Sequence, residues 1–315
     1  MNIVFLDEAT VGKVSAIDKI RKIGNYSAYD STKPEEVIDR LKEADIAIIN
    51  KIIMNRDLMV SLPKLKLICI AATGMNNVDL EAAEQLGIQV RNVANYSTYS
   101  VTQMTFALLF ELMCHTSEFD RYVKSGEYSA SGKFSTLNPP YRELRNKKFG
   151  IVGLGTIGRQ VARVAEAFGA EVVYFSTSGA NDDTDFERVN MDDLLKECDV
   201  ISIHAPLNSH TRNLFDYSKL RRMKKSAIIV NAGRGGIVNE ADLARAIDEG
   251  LIYGACIDVF EQEPLRADNP LMTLTNKNRL VMSPHVAWAS EEARERLMEL
   301  LYENIADWKS ENKTK

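Results

Sequence analysis

Apolar positions along this chain alternate between two rhythms, short continuous runs and helical repeats. The runs Ile3–Leu6, Asp45–Asn50, Leu65–Ala71 and Ile88–Val93 predict strands. Between them Val14, Ile17, Ile20 and Ile23 recur on one helical face closed by Gly24. A second helix is opened by Pro34, a residue tolerated in a first turn, and Leu80–Leu86 makes a third, closed by Gly87. Residues 1–93 therefore predict βα units and a parallel sheet covered on both faces. Ser100–Met113 is apolar on nearly every side, which predicts a helix buried all round, in the core or against another subunit. Residues 121–148 lose periodicity and read as loop, on the surface or over a partner.

A second alternating series starts at Phe149. Its strands are Phe149–Val152, Val172–Ser176, Val200–His204, Ile228–Asn231, Gly254–Val259 and Leu280–Met282, about the six of a full dinucleotide-binding sheet. Glu240–Asp248 is a helix with Asn239 as N-cap and Gly250 as stop. The last helix starts near Ser290 and carries Ala293, Leu297, Leu301, Ile305 and Trp308 at helical spacing, and its polar tail SENKTK is expected to fray. The pattern predicts an α/β protein of doubly wound parallel sheets, and 315 residues suit about two domains.

Within that pattern, the stretch from Phe149 to Gly158 places Gly153, Gly155 and Gly158 directly after a strand and before an amphipathic segment, Arg159–Phe168. Gly153 suits a tight turn, Gly155 a close backbone approach to a diphosphate, and Gly158 close packing of helix on strand. The phosphates would lie on a helix N-terminus, where unpaired N–H groups favour anions. A glycine-rich βα turn without a ligand is the other reading of this pattern.

Composition narrows the field. A hydrophobic share of 45% with 26% charged residues excludes disordered and fibrous classes, and a net charge of −5 argues against nucleic acid or an anionic membrane. No apolar run reaches the ~18 residues of a membrane span. The start MNIVFLDE lacks a basic region and reads as a strand, not a signal peptide. Cys69, Cys114, Cys198 and Cys256 lie far apart with no paired spacing, which suits buried thiols in a reducing cytoplasm better than disulfides or a metal site.

Three strand ends in the second series bear polar residues that packing does not require. Asn231-Ala-Gly-Arg-Gly-Gly236 sets Arg234 between glycines, where a guanidinium could fork onto a carboxylate or stand as a turn's surface charge. Asp258, Glu261 and Glu263 follow the next strand and are by default solvated loop acids; His285 follows the last and could be structural. Together they supply a carboxylate binder, an acid to orient an imidazole, and an imidazole, at the edge where the glycine turn would lay a nicotinamide. Carbonyl reduction by hydride needs a proton donor and a cation of this kind.

On these residues the chain resembles the D-isomer-specific 2-hydroxyacid dehydrogenases, and within them the glycerate dehydrogenases (hydroxypyruvate reductases). The motifs are GLGTIGR at 153–159, HAPL at 204–207, NAGRGGIVNEADL at 231–243, DVFEQEPL at 258–265 and SPHVAWAS at 283–290, with AATGMNNVD (71–79), YSTYSVTQMTFALL (96–109) and VKSGEYSASGKFS (123–135) in the first half. The resemblance implies His285 as general acid, Glu263 as its hydrogen-bond partner, and Arg234 on the substrate carboxylate. A carboxylate beside an imidazole favours the protonated ring. It implies Asp258 on the nicotinamide carboxamide, and Thr73, Gly74, Met75 and Trp288 in the substrate site. For the rest of an NAD or NADP site it implies Gly153, Gly155, Thr156, Ile157, Gly158, Ser176, His204, Ala205, Pro206, Ala232 and Gly233, with no metal. It further implies a Rossmann cofactor domain, 99–288, inserted into a flavodoxin-like substrate domain, 1–98 plus 289–315, with the active site in the cleft at the hinges and a dimer formed through the cofactor domain.

Two departures from that pattern stand out. Ser176 occupies the place of the acid that binds the adenosine ribose, and neither Arg nor Lys adjoins Ser176, Thr177 and Ser178 in sequence, while Asp182 and Asp183 follow closely. NAD is therefore expected, with NADP open. Tyr128 stands where relatives often carry Trp, in a loop shaping the substrate pocket. The leading expectation is reduction of a small 2-keto acid, hydroxypyruvate or glyoxylate. D-lactate-type and aromatic 2-keto acid reductases are the rivals within the class. A nucleotide-sensing corepressor is the rival outside it, disfavoured by the acidic composition. Formate dehydrogenases share the fold but need no proton donor, so the pairing of Glu263 with His285 argues against them.

Overall fold

The computed structural model describes residues 1–312. It divides into two units: Met1–Ser97 joined by the chain from Ala289, and Thr98–Trp288.

The first unit holds β1 (Asn2–Phe5), β2 (Asn25–Ala28), β3 (Ile46–Ile49), β4 (Leu67–Ile70) and β5 (Gln89–Arg91) in one parallel sheet of order β2-β1-β3-β4-β5. β3 and β4 are buried at every position, which is why they read as unbroken apolar runs. β2 gave no such signal: it is an edge strand, NYSA, exposed at three of four positions. The helix Arg56–Val60 was equally silent, since it buries Met59 alone. The closing helix, Glu291–Glu311, is capped by Ser290, whose Oγ accepts from the Ala293 N–H at 3.2 Å, and it buries Ala293, Leu297, Leu301, Ile305 and Trp308. Ser310 and Glu311, expected to lie in a frayed tail, belong to this helix, and Arg91 pairs with the Glu311 carboxylate at 2.5 Å. The remainder of the predicted frayed tail after Asn312 lies outside the described residues.

The second unit is a seven-stranded parallel sheet of β6 (Lys148–Val152), β7 (Glu171–Phe175), β8 (Glu187–Arg188), β9 (Val200–Ile203), β10 (Ile228–Asn231), β11 (Gly254–Ile257) and β12 (Leu280–Met282). Its order is β12-β11-β10-β9-β6-β7-β8. The seventh strand, β8, escaped the six-strand expectation because it is two exposed charged residues at the edge. Alternate residues of the central strands feed two cores. Ile201, Ile203, Ile229 and Ile257 face one; Phe149, Ile151, Val200 and Val230 face the other. Each such side chain, fully buried, stabilises the fold by about 1.5–3 kcal/mol relative to exposure.

Two expectations are corrected here. Within the single chain the helix Thr98–Cys114 is not buried all round: Phe106, Leu109 and Leu112 share a buried cluster with Phe149 and Val161, while Tyr99, Gln103 and Ala107 form an exposed stripe. The core alternative therefore accounts for only part of its apolar surface. Residues 121–148 are also not all loop, since Thr116–Lys124 and Glu127–Ser131 are helices, the second bracketed by Gly126 and Gly132 with left-handed backbone. Neither buries a residue, so no apolar repeat announced them. Tyr128 lies in the second and donates to the Phe134 carbonyl at 2.8 Å.

Sheet order reverses between β6 and β9. In open α/β sheets ligands bind in the crevice outside the strand ends at such a reversal. Gly153 and His204 follow those two ends, and the His204 N–H bonds the Val152 carbonyl at 2.8 Å.

Candidate active site

The glycine turn comes first because everything beside it depends on its shape. Gly153 has φ +90, and a Cβ there would lie 2.9 Å from the Ala205 backbone. A side chain at Gly158 would strike the Gly153 carbonyl at 2.3 Å, so helix Thr156–Ala167 sits hard against β6. Gly155 faces open space, with nothing within 4 Å of the Cβ it lacks. The helix, predicted from Arg159, starts three residues earlier and has no capping side chain. Thr156, Ile157 and Gly158 therefore present uncapped N–H groups at a helix N-terminus beside an empty approach, which fits the diphosphate of a dinucleotide.

His204, Ala205 and Pro206 line the other side of the turn. The His204 Nε2 lies 2.8 Å from Ser202 Oγ, while Nδ1 is sealed from water and has no partner among the described residues. Burial pushes this imidazole down to about 4, so it is neutral at pH 7.

At the end of β7, Ser176 is buried and its Oγ accepts weakly from the Asn181 N–H at 3.4 Å. Asn181 in turn donates to the Leu154 carbonyl at 2.8 Å, folding the 176–184 loop back onto the glycine turn. A cavity of about 600 Å³ opens there, lined by Arg159, Ser178, Asn181, Asp182 and Asp183. This corrects the expectation that no cation stands beside the serines. Arg159 from the helix and Arg188 from β8 both reach the loop, the first paired with Asp183 and the second with Asp182 at 3.0 Å. Neighbours in the chain could not reveal cations delivered by other elements.

The three candidate strand ends converge within this same unit. Asn231, buried at the end of β10, folds the next turn by accepting from the Gly233 N–H at 3.1 Å and donating to the Arg234 carbonyl at 2.9 Å. Arg234 is exposed. Its guanidinium donates to the Gly233 carbonyl at 2.9 Å and makes no ion pair among the described residues. A Cβ on Gly235 would fall 1.9 Å from the Phe260 carbonyl oxygen, so the segment after β11 crosses directly over this glycine. That crossing delivers Glu263. One carboxylate oxygen accepts from the Phe260 N–H at 2.9 Å and the other lies 2.6 Å from His285 Nδ1. Both side chains are partly open, 33% and 25% exposed, so the far edge of the imidazole can meet a small molecule.

Asp258 is 1% exposed and both its oxygens are engaged. Oδ1 accepts from Ser283 Oγ at 2.5 Å and the Val286 N–H at 2.9 Å, Oδ2 from the Ala287 N–H at 2.9 Å. Burial raises this carboxyl, and those donors oppose the rise. Trp288 closes the unit, half-buried. The substrate candidates Thr73, Gly74 and Met75 belong to the other unit, just beyond β4, where Thr73 Oγ1 donates to the Val93 carbonyl at 3.0 Å. The backbone N–H groups of these three have no acceptor among the described residues.

Comparison with known proteins adds an independent line. Residues 106–287 match the family described as D-isomer specific 2-hydroxyacid dehydrogenase, NAD binding domain. A glycerate dehydrogenase of Methylorubrum extorquens is 37% identical over 304 residues, 96% of this chain and 94% of its own. A glyoxylate reductase of Aeropyrum pernix is 35% identical, covering 92% and 88%. Among solved structures, an acyclic imino acid reductase in complex with NADPH and D-Arg superposes with a TM-score of 0.87 at 30% identity, covering 99% of this chain and 98% of that one.

Proposed function

The chain belongs to the D-isomer specific 2-hydroxyacid dehydrogenases, and from that premise we propose that it reduces a small 2-keto acid, hydroxypyruvate or glyoxylate, to the D-2-hydroxy acid. The observation that carries this reading is the contact of Glu263 with His285 in the unit that also holds Arg234, which makes no ion pair among the described residues.

In the proposed reaction Arg234, with no ion pair among the described residues, takes the substrate carboxylate in a two-pronged fork. Glu263 accepts from Nδ1–H of His285, which fixes the ring. His285 then gives the Nε2 proton to the keto oxygen. The reduced nicotinamide, when bound, supplies the hydride. Thr156, Ile157 and Gly158 hold its diphosphate on their N–H groups, with His204, Ala205, Pro206, Ala232 and Gly233 beside it. Asp258, read from the resemblance as a partner of the nicotinamide carboxamide, also holds the loop of His285 with its carboxylate. The first unit acts as the substrate domain, with the N–H groups of Thr73, Gly74 and Met75 as its candidate carboxylate binders. NADH is preferred over NADPH, because Asp182 and Asp183 neutralise the two arginines that reach the 176–184 loop.

The enzyme works in the cytoplasm as a homodimer formed through the cofactor domain. Phe134 and Leu137, 97% and 87% exposed, and the neighbouring Tyr141 support a second copy as their cover. Light scattering tests this: a monomer at micromolar concentration ends the dimer reading. The reaction is tested by following oxidation of NADH and NADPH with pyruvate, phenylpyruvate, glyoxylate and hydroxypyruvate. Turnover fastest on phenylpyruvate or pyruvate would move the substrate to a rival class. Cofactor binding without turnover on any of the four would favour a nucleotide sensor.

A further inference from the structure

His285 stands three residues beyond β12 with φ +54, a left-handed backbone that a residue with a Cβ adopts only when its surroundings impose it. The constraint is visible. Its own N–H bonds the Asp258 carbonyl at 2.7 Å and the Ser283 carbonyl at 3.1 Å. The next two N–H groups, of Val286 and Ala287, bond the two oxygens of the Asp258 carboxylate, and the Ala287 carbonyl accepts from Ser100 Oγ at 2.6 Å. The loop is therefore wrapped around one buried carboxylate, and that carboxylate needs an aim. Ser283, 7% exposed, supplies it: its hydroxyl donates to Asp258 Oδ1 at 2.5 Å, while its N–H bonds the Ile257 carbonyl at 3.0 Å.

We propose that Ser283 is a positioning residue whose hydroxyl fixes the Asp258 carboxylate and, through it, the backbone from which His285 delivers its proton. This rests on reading His285 as the proton donor. The imidazole is held at two points, at its backbone by Asp258 and at Nδ1 by Glu263. Freeing the first lets the ring pivot about the second, and Nε2 swings off the line to the keto oxygen. Neither the carboxylate fork of Arg234 nor the uncapped helix N-terminus at Thr156 takes part in that motion, so chemistry suffers while binding holds.

The test is steady-state kinetics on hydroxypyruvate with NADH for the wild-type protein, Ser283→Ala and Ser283→Thr, with NADH affinity read separately from nucleotide fluorescence. Ser283→Ala lowers kcat roughly tenfold or more, as expected of a small misplacement of a reacting group, and leaves KM and NADH affinity within about twofold. Ser283→Thr, which keeps the hydroxyl, restores most of kcat. Should Ser283→Ala fail to fold, Ser283→Cys, similar in size with a far weaker donor, carries the same expectation. An unchanged kcat in Ser283→Ala overturns the proposal. So does a Ser283→Thr as slow as the alanine variant, or a loss confined to KM. A wild-type protein inert on every keto acid overturns this proposal and the reading beneath it, whereas an active one with an indifferent Ser283 overturns this proposal alone.

Discussion

Glu263 Oε2 lies 2.6 Å from His285 Nδ1 although 22 residues separate them in the chain. The contact exists because three backbones are forced together: β11 and β12 are neighbours, and the segment after β11 crosses Gly235, where any side chain would collide with the Phe260 carbonyl. Glu263 is steadied by the Phe260 N–H and presents its second oxygen to the ring. Such an arrangement orients an acid–base group from behind and leaves its working edge open.

His285→Ala should lower kcat by roughly a hundredfold or more, the usual worth of a positioned general acid, with NADH affinity intact. Glu263→Gln should fall between that variant and wild type, since the amide can still accept from Nδ1–H but holds the ring by a weaker, uncharged hydrogen bond. Single-turnover rates on hydroxypyruvate check both, and ordinary rates in His285→Ala would remove the proton-donor role.

Arg234→Lys tests the fork. Arg234 makes no ion pair among the described residues, so its loss should not move the melting temperature. A lysine keeps the charge but cannot grip a carboxylate with two parallel donors, and kcat/KM for the keto acid should drop roughly tenfold to a hundredfold. A drop in stability without a change in kcat/KM would make the arginine structural.

How far the chain could be read from its residues depended on where each signal was carried. Buried strands such as β3 and β4 announced themselves by unbroken apolar runs, and the helix Glu240–Asp248 by its Asn239 cap, which accepts from the Asp242 N–H at 3.0 Å. Elements that bury almost nothing, such as β2, β8 and Glu127–Ser131, left no periodic trace. Within the site the same division holds. Arg234 and His285 sit in short motifs at strand ends, whereas the approach of Arg159 to Asp183 depends on a loop folding back, which local sequence does not encode. Ser283 lay in plain view within a motif, but its hydroxyl acquires meaning only when β12 is set beside β11 and Asp258.

Cofactor choice follows from that hidden cluster. A 2′-phosphate entering the cavity must compete with Asp182 and Asp183 for Arg188 and Arg159. Wild-type protein should therefore favour NADH. Asp182→Asn with Asp183→Asn should shift the NADPH/NADH ratio of kcat/KM upward by roughly tenfold, the worth of one charge-assisted hydrogen bond. Asparagine at 183 keeps an oxygen for the Asp185 N–H, which Asp183 now accepts at 2.8 Å, so the loop should hold its shape. A wild-type preference for NADPH would refute the neutralised-arginine account.

His204 gives the protein a pH-dependent stability with a definite sign. Its imidazole titrates at about 4 in the fold, against the ordinary 6.5. Between those values the unfolded chain takes up a proton that the buried ring refuses, so this residue's contribution falls as pH drops through that window and levels off below it. The shift bounds the effect at about 3 kcal/mol, and the unpartnered Nδ1 is its physical origin, since a protonated ring would bury a second N–H with no acceptor. His204→Gln can keep a contact to Ser202 and has no proton to gain. Thermal midpoints measured from pH 7.5 down to pH 4.5 should fall more steeply for the wild type than for this variant, while carboxylate titration, common to both, cancels in the difference. Parallel curves would mean that the ring is solvated in the folded protein, and with that the sealed environment beside the glycine turn would be lost as an explanation.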